Sequence, residues 1–420
     1  MHQKTTLDNG LRIVTTTLPH TRSVSVGIFI GVGARYETEE QAGISHFIEH
    51  LLFRGTSKRV TAKEISEAIE GVGGSLNGGT DKELTLYWGR VAQPNFLLAL
   101  DVLADMLLNS KLDAEDIEKE RQIIIEEMHM TKDSPSQQVH MLVDEILWPG
   151  HPLGRDIAGT KQSMATISRD MMTGYLENKY LPGNTVISIS GNIQHQEAVD
   201  AVSQVTGGWT NSKSCPDYPA YEEQTNPRLL LEKRDTEQVH LCLALPGLSL
   251  LDSRRYTLGL LNVILGEGMS SRLFTEIRDK LGLAYSIHSY IDHFLDSGAV
   301  TVYAGVEPKN LPVAVKAITE QLSKLKEPIS EPELSKAKEL SKGRLLLRME
   351  DTRSVTGWMG GQEALTGEIL SVDQVVANIE AITTDQLNEL ARELLVSDGL
   401  RLAAVGPVTG EDALDALLKL

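Results

Sequence analysis

The chain has 420 residues, 41% of them hydrophobic and 23% charged, with a formal net charge of −18 at pH 7. That length suffices for two or more domains with sizeable cores. An acidic balance in both halves argues against nucleic acid as a partner, which wants a basic face, and no apolar run approaches the ~20 residues of a membrane-spanning helix.

The opening stretch, MHQKTTLDNGLRIV, reads as strand, turn and strand. It has neither an apolar secretory core nor an Arg- and Ser-rich transit pattern, so a cytoplasmic protein is expected. Two cysteines, Cys215 and Cys242, are too few for a disulfide framework and fit a reducing compartment.

The next informative segment is GISHFIEHLLF, from Gly43 to Phe53. On a helical wheel with His46 at zero, Ile44, Phe47, Ile48, Leu51 and Leu52 fall between about 100° and 240°. His46, Glu49, His50 and Phe53 occupy the opposite stripe, within about 60° of zero. His46 and His50 are four residues apart, so their side chains project the same way and could share one metal ion. Glu49 lies on that stripe beside His50, able to serve a water molecule without being a ligand. HFIEH is the H-x-x-E-H pattern, the inverse of the usual zinc-protease helix. Two histidines at this spacing are also often just partly exposed polar residues, so a third ligand is needed.

A helix follows in TAKEISEAIEGVGG, with Thr61 and Glu64 as a capping box and Gly71 as its stop. LTLYWGRV, from Leu84 to Val91, has strand character. DAEDIEKERQIIIEEMHM, from Asp113 to Met130, is a second long helix, with Asp113 as N-cap and acidic residues in its first turn. Glu120 and Glu127 lie about 20° apart on one line, flanked within about 80° by Ile117, Ile123, Ile124 and Met128. Glu118, Lys119, Gln122 and Glu126 face the other way. A carboxylate within an apolar stripe needs positive compensation, which a metal ion or a buried salt bridge would supply.

The second half repeats the first. The segment starting at Ile167 (ISRDMMTGYLENKYLPGNTVISISGNI) and the one starting at Ile382 (ITTDQLNELARELLVSDGLRLAAVGPV) lie 215 positions apart, each reaching a glycine, Gly191 or Gly406, after its strand. VAQPNFLLALDVLADMLLN at Val91 and VEPKNLPVAVKAITEQLSK at Val306 share that offset. We read two homologous, duplicated α+β domains, 1–215 and 216–420, each with helices packed on a mainly antiparallel sheet. The seam is expected in the polar stretch from Asn211 to Arg228.

HFIEHLLFRGT followed by EKERQIIIEE resembles the pitrilysin superfamily of inverted-zincin metallopeptidases, which includes mitochondrial processing peptidase and bacterial two-domain processing proteases. The family pattern places a glutamate 76 residues after H-x-x-E-H, and 76 residues separate His50 from Glu127. The resemblance implies His46, His50 and Glu127 as ligands of one Zn2+ per chain, Glu49 as general base, and Glu120 as a catalytic support behind the ligands. It implies that GGSLNGGTDKELTLYWGRV is an edge strand on which the substrate lies as an added strand, with Asn77 and Gly78 in contact with it; Gly78 stands where alanine is commoner. In SSRLFTEIRDKLGLAYSIHS it implies that Arg278 and Tyr285 reach an active site and hold the substrate backbone. Positions about 215 after the metal residues carry no histidine or suitable glutamate; Arg344 falls opposite Glu127.

The activity so implied is zinc metalloendopeptidase, acting on unfolded peptides or flexible protein termini. The family builds its chamber from four such domains, so a homodimer forming a clamshell is expected, with a heteromeric partner as the other way to complete it. The alternative is a non-catalytic scaffold or assembly subunit, or a peptide-binding chamber of the same fold; the intact zinc residues weigh against it. The acidic total charge hints at basic peptides as substrates.

Overall fold

The computed structural model describes residues 2–210, 215–222 and 227–420. Two parts of the seam expected between Asn211 and Arg228, residues 211–214 and 223–226, lie outside the described residues. The chain forms two compact units. One comprises Met1–Met128, Asp156–Pro219 and Leu346–Ser371; the other comprises His129–Arg155, Ala220–Leu345 and Val372–Leu420. No helix among the described residues is long and apolar enough to cross a membrane.

The first unit is built on a six-stranded sheet of β1 (His2–Thr6), β2 (Arg12–Thr17), β3 (Ser23–Ile30), β4 (Ser75–Thr80), β5 (Thr85–Ala92) and β6 (Thr185–Gly191), in the order β1-β2-β6-β3-β5-β4. β2 and β6 run parallel and every other pair antiparallel. β3 and β6 are buried along nearly their whole length, and their run of Val, Ile and Ser suits strands covered on both faces. One face packs against α1 (Ile44–Leu52) and α3 (Phe96–Asn109), where Ile28, Ile30, Phe47, Ile48, Leu100 and Leu103 share a core. Each such buried aliphatic or aromatic side chain contributes about 1.5–3 kcal/mol relative to exposure. α2 (Ala62–Glu70) starts at Thr61, whose hydroxyl accepts from Glu64 N. Glu64 itself accepts from Val60 N and not from Thr61 N, so only half of the expected capping box forms. Gly71 ends the helix in a right-handed conformation.

The other face of this sheet is covered by a helix from far along the chain, Thr352–Thr366. Val355 and Met359 pack on Val14, Phe29 and Val186. Hydroxyls fill the rest of the contact: Ser188 donates to Thr356 O at 2.9 Å, and Ser25 and Thr352 bond at 2.9 Å. Gly360 permits this approach, since a Cβ there would lie 2.1 Å from the Phe29 ring.

The second unit repeats the plan without the first strand. Its sheet contains β7 (Leu229–Lys233), β8 (Val239–Pro246), β9 (Ala284–His293), β10 (Gly298–Val306) and β11 (Arg401–Gly406), in the order β7-β11-β8-β10-β9. β7–β11 is its one parallel pair, matching β2–β6. The glycines that close β6 and β11 adopt the same unusual backbone, Gly191 at φ +142 and Gly406 at φ +146. In each, a Cβ would strike the strand alongside. Here the covering helix comes from the first half of the sequence: α5 (Pro135–Leu147) follows α4 (Ala114–Asp133), and its Val139, Val143 and Ile146 pack on Cys242, Ala244, Ala403 and Val405. Each half of the sequence thus lends one helix to the unit founded on the other half's sheet. The expected α+β class, with helices on mainly antiparallel sheets, describes both units.

Candidate metal centre

α1 begins without a side-chain cap of its own. Gly43 precedes it at φ +93, where a Cβ would lie 2.4 Å from Ala158 O. The Glu37 carboxylate serves instead, accepting from Gly43 N and Ser45 N, each at 2.8 Å. It is buried, and its charge lies against the positive end of the helix. Ile44, Phe47, Ile48, Leu51 and Leu52 face the core, as the wheel requires, which leaves His46, Glu49 and His50 on the opposite stripe.

The two imidazoles meet edge to face, with their Nε2 atoms 3.2 Å apart. Two nitrogens bound to one tetrahedral zinc at its usual bond length stand about 3.3 Å apart. Glu127 Oε2 lies 3.7 Å from His50 Nε2 and 4.0 Å from His46 Nε2. The three ligand atoms all fall within 4.8 Å of one another. His50 Nδ1 donates to Glu120 Oε2 at 2.8 Å, which leaves the Nε2 lone pair for a metal. Burial and the neighbouring His50 lower the His46 pKa to about 4, so its ring is neutral at pH 7. The donor set, two imidazole nitrogens and a carboxylate, fits zinc with a fourth position left open.

Glu120 and Glu127 differ in setting. On α4, Ile117, Glu120 and Ile124 are buried, but Ile123 is 39% exposed and the Glu127 side chain 45% exposed. The apolar stripe is therefore narrower than the wheel suggests. Glu127 sits at its rim, where its carboxylate is partly solvated. Glu120 is compensated twice, by His50 and by an ion pair with Arg54.

Glu49 Oε2 accepts from Thr80 Oγ1 at 3.2 Å. Desolvation raises the Glu49 pKa, with Glu127 adding to the rise and His50 and Thr80 opposing it. A Cβ on Gly78 would lie 2.9 Å from Glu49 Oε1. Gly78 and Thr80 alternate along β4, so both face α1. Among the described strands β4 pairs with β5 alone, and it forms one edge of the sheet. Asn77 is exposed on the opposite face of that edge, and its Oδ1 accepts from Gly78 N at 2.8 Å.

The structure thus brings together His46, His50, Glu49, Glu120, Glu127 and Gly78. Arg278 and Tyr285 belong to the second unit. They meet each other there: the Arg278 guanidinium, in the π-helical turn Phe274–Lys280, lies 4.7 Å from the Phe274 ring centroid and 4.8 Å from that of Tyr285. Tyr285, at the start of β9, is 80% exposed. Three residues of this centre escape the sequence reading. Arg54 is four residues beyond His50 and Thr80 two beyond Gly78, so helical and strand periods could have found them. Glu37 acts across a turn, and no local period marks it.

In the second unit, the helix Arg255–Gly266 carries Leu261 and Leu265, 215 positions after His46 and His50, both buried. Arg344, opposite Glu127 in the repeat, pairs with Glu267 at 2.5 Å. Among the described residues, His46, His50 and Glu127 form the metal-competent group.

The family description "Insulinase (Peptidase family M16)" matches residues 12–161, and "Peptidase M16 inactive domain" matches residues 166–341. The "uncharacterized zinc protease YmxG" of Bacillus subtilis is 38% identical over 408 residues, covering 97% of this chain and 98% of its own. An "uncharacterized zinc protease" of Streptomyces coelicolor is 39% identical over 420 residues, covering 98% of this chain and 91% of its own. In fold, the chain is similar to the crystal structure of a protease from Helicobacter pylori, with a TM-score of 0.91 at 22% identity over 97% of this chain and 99% of that one.

Proposed function

The chain belongs to peptidase family M16, and on that premise we propose that it is a zinc metalloendopeptidase acting on unfolded peptides and flexible protein termini. The observation that carries the proposal is the approach of His46 and His50 through their Nε2 atoms, 3.2 Å apart and beside Glu127, with Glu49 on the same helical stripe. One zinc per chain is proposed, held by those three side chains. When bound, it would act as a Lewis acid that polarises the scissile carbonyl and makes water more acidic.

Glu49 is the proposed proton carrier. Its Oε2 is engaged by Thr80, while Oε1 faces the space that a side chain at Gly78 would fill. Oε1 therefore takes the proton of the attacking water and returns it to the leaving amine nitrogen. A carboxylate whose pKa is raised by desolvation suits both transfers. Glu120 holds the His50 ring through Nδ1, and Arg54 balances the Glu120 charge. The edge of β4 offers main-chain donors and acceptors to an extended peptide, and Asn77 and Gly78 lie along it. That mode requires an unfolded segment.

The proposal extends to a homodimer in which Arg278 and Tyr285 hold the substrate at a partner's zinc, and to a cytoplasmic setting, which the two free cysteines suit. The test is incubation of the zinc-loaded protein with a mixture of unstructured peptides, with products mapped by mass spectrometry and Glu49→Gln alongside. Cuts that fall at least about 100-fold in the variant at equal zinc content support the peptidase. No cuts by the fully loaded parent overturn it and favour a scaffold subunit.

A further inference from the structure

β4 turns its two faces to different chemistry. Leu76, Gly78 and Thr80 face α1, whereas Ser75, Asn77 and Gly79 are exposed on the other side. There the register sets them beside Arg90, Trp88 and Leu86 of β5. Two clefts of the first unit open on that side. One, of about 270 Å³, is lined by Trp88, Arg348, Asp351 and Arg353 among others. The other, of about 660 Å³, is lined by Arg22, Ser75, Arg90 and Glu350 among others. They are joined by the ion pair of Arg90 with Asp351 at 2.8 Å.

Asp351 has little left to offer a ligand. Its Oδ1 is taken by Arg90, and its Oδ2 accepts from Ser354 N at 2.9 Å as the N-cap of the helix Thr352–Thr366. The guanidinium of Arg353, an exposed residue, lies 3.8 Å from the centroid of the Trp88 ring. Arg22, Arg348 and Arg353 have no carboxylate partner among the described residues. In a chain of net charge −18, this face gathers four arginines against two acids, one of them already engaged.

We infer that this arginine–tryptophan face is a side-chain subsite for acidic residues of the peptide substrate, read at alternate positions of a strand added to β4. The inference rests on the peptidase reading and deepens it. Side chains of an added strand alternate between the α1 side and this face. Those on this face project over Ser75, Asn77 and Gly79, which are short and leave a low path. Two strand spacings, about 10 Å, separate the added strand from β5. A glutamate from one side and an arginine from the other can bridge that gap in a charge-assisted hydrogen bond. Stacking on Trp88 holds the Arg353 guanidinium in place, so less side-chain freedom is lost on binding. Asn77 neighbours Gly78, which lies against Glu49, so the acidic residues sit about one to three positions from the scissile bond. Screening confines charge effects to about 10 Å at moderate salt, so this local excess outweighs the acidic total.

The test uses peptides identical except for Glu, Gln or Lys at the alternate positions flanking the cut, with the parent enzyme, Arg353→Gln and Arg353→Glu. In the parent, kcat/KM for the Glu peptide is expected to exceed that for the Lys peptide about tenfold at low salt. The ratio should shrink near 1 M salt, where the Debye length is about 3 Å. It should fall in Arg353→Gln and invert in Arg353→Glu. Equal kcat/KM for the three peptides in the parent, or an order unchanged by Arg353→Glu, overturns the subsite and leaves the peptidase standing. If the zinc-loaded parent cuts none of them, the peptidase reading fails, and fluorescence anisotropy of the same labelled peptides decides the subsite alone. Tighter binding of the Glu peptide that is lost in Arg353→Glu upholds it; equal binding overturns it.

Discussion

Behind His50, one carboxylate does two jobs. Glu120 fixes the ring through Nδ1 and takes its own compensation from Arg54. Glu120→Gln keeps the shape but loses the charge, and zinc affinity, measured by chelator competition, is expected to fall about 10- to 100-fold. Arg54→Met, which removes a positive charge and leaves Glu120 a stronger acceptor for His50, should not lower the affinity; unchanged affinity in Glu120→Gln would reduce the relay to a packing detail. His46 adds a pH dependence to the metal-free protein. Its folded pKa, about 4, lies below the unfolded value of about 6.5, so the unfolded chain binds more protons between the two. Stability from this group is fully present above about pH 6.5, declines as pH falls toward 4 and is flat below that, a span of about 3 kcal/mol. Urea titrations of the zinc-free protein across that window should show a steeper slope in the parent than in His46→Asn, which keeps the contributions of the other desolvated histidines, His140, His240, His288 and His293.

Among the elements, the metal helix depends on contacts made outside it. Glu37 caps α1 from a separate turn, and Thr80 reaches Glu49 from the sheet edge. The helix Thr352–Thr366 is likewise a foreign part, laid on the first sheet through hydroxyls and a glycine contact. Gly360→Val would drive a side chain into the Phe29 ring, a buried aromatic that cannot simply turn away. We expect a loss of about 1–3 kcal/mol, seen as a lower thermal midpoint. Gly361→Ala, on the same helix where a Cβ meets nothing within 4 Å, should be tolerated. Equal midpoints for the two variants would mean that the helix does not seat against Phe29.

For the whole molecule, the proposed homodimer makes a complementation prediction. Glu49→Gln and Arg278→Ala are each expected to be nearly inactive alone. After mixing and subunit exchange, half of the dimers are hybrid, and each hybrid holds one site with Glu49 from one chain and Arg278 from the other. About a quarter of parental activity should return. Light scattering that gives two chains per particle, together with this recovery, would support the shared site; an active monomer without recovery would remove it.

The sequence by itself determined the periodic and the repeated. Helical spacing put His46, Glu49 and His50 on one stripe because 3.6 residues per turn is a local property, and the wheel likewise aligned Glu120 with Glu127. The 215-residue offset announced a duplicated α+β fold, since a repeated pattern of buried positions builds a repeated sheet; even the paired glycines Gly191 and Gly406 keep matching backbones. Only the tertiary structure decided which helix covers which sheet. α5 and the helix Thr352–Thr366 each pack in the unit founded on the other half's strands, and an amphipathic pattern states that a face must be buried without naming its partner. It also decided that Ile123 is exposed and Glu127 stands at a rim, because burial depends on what lies opposite and not on the wheel. The Arg54–Glu120 pair and the gathering of Arg22, Arg90, Arg348 and Arg353 on one face join residues distant along the chain, and such proximity exists only once the chain has folded.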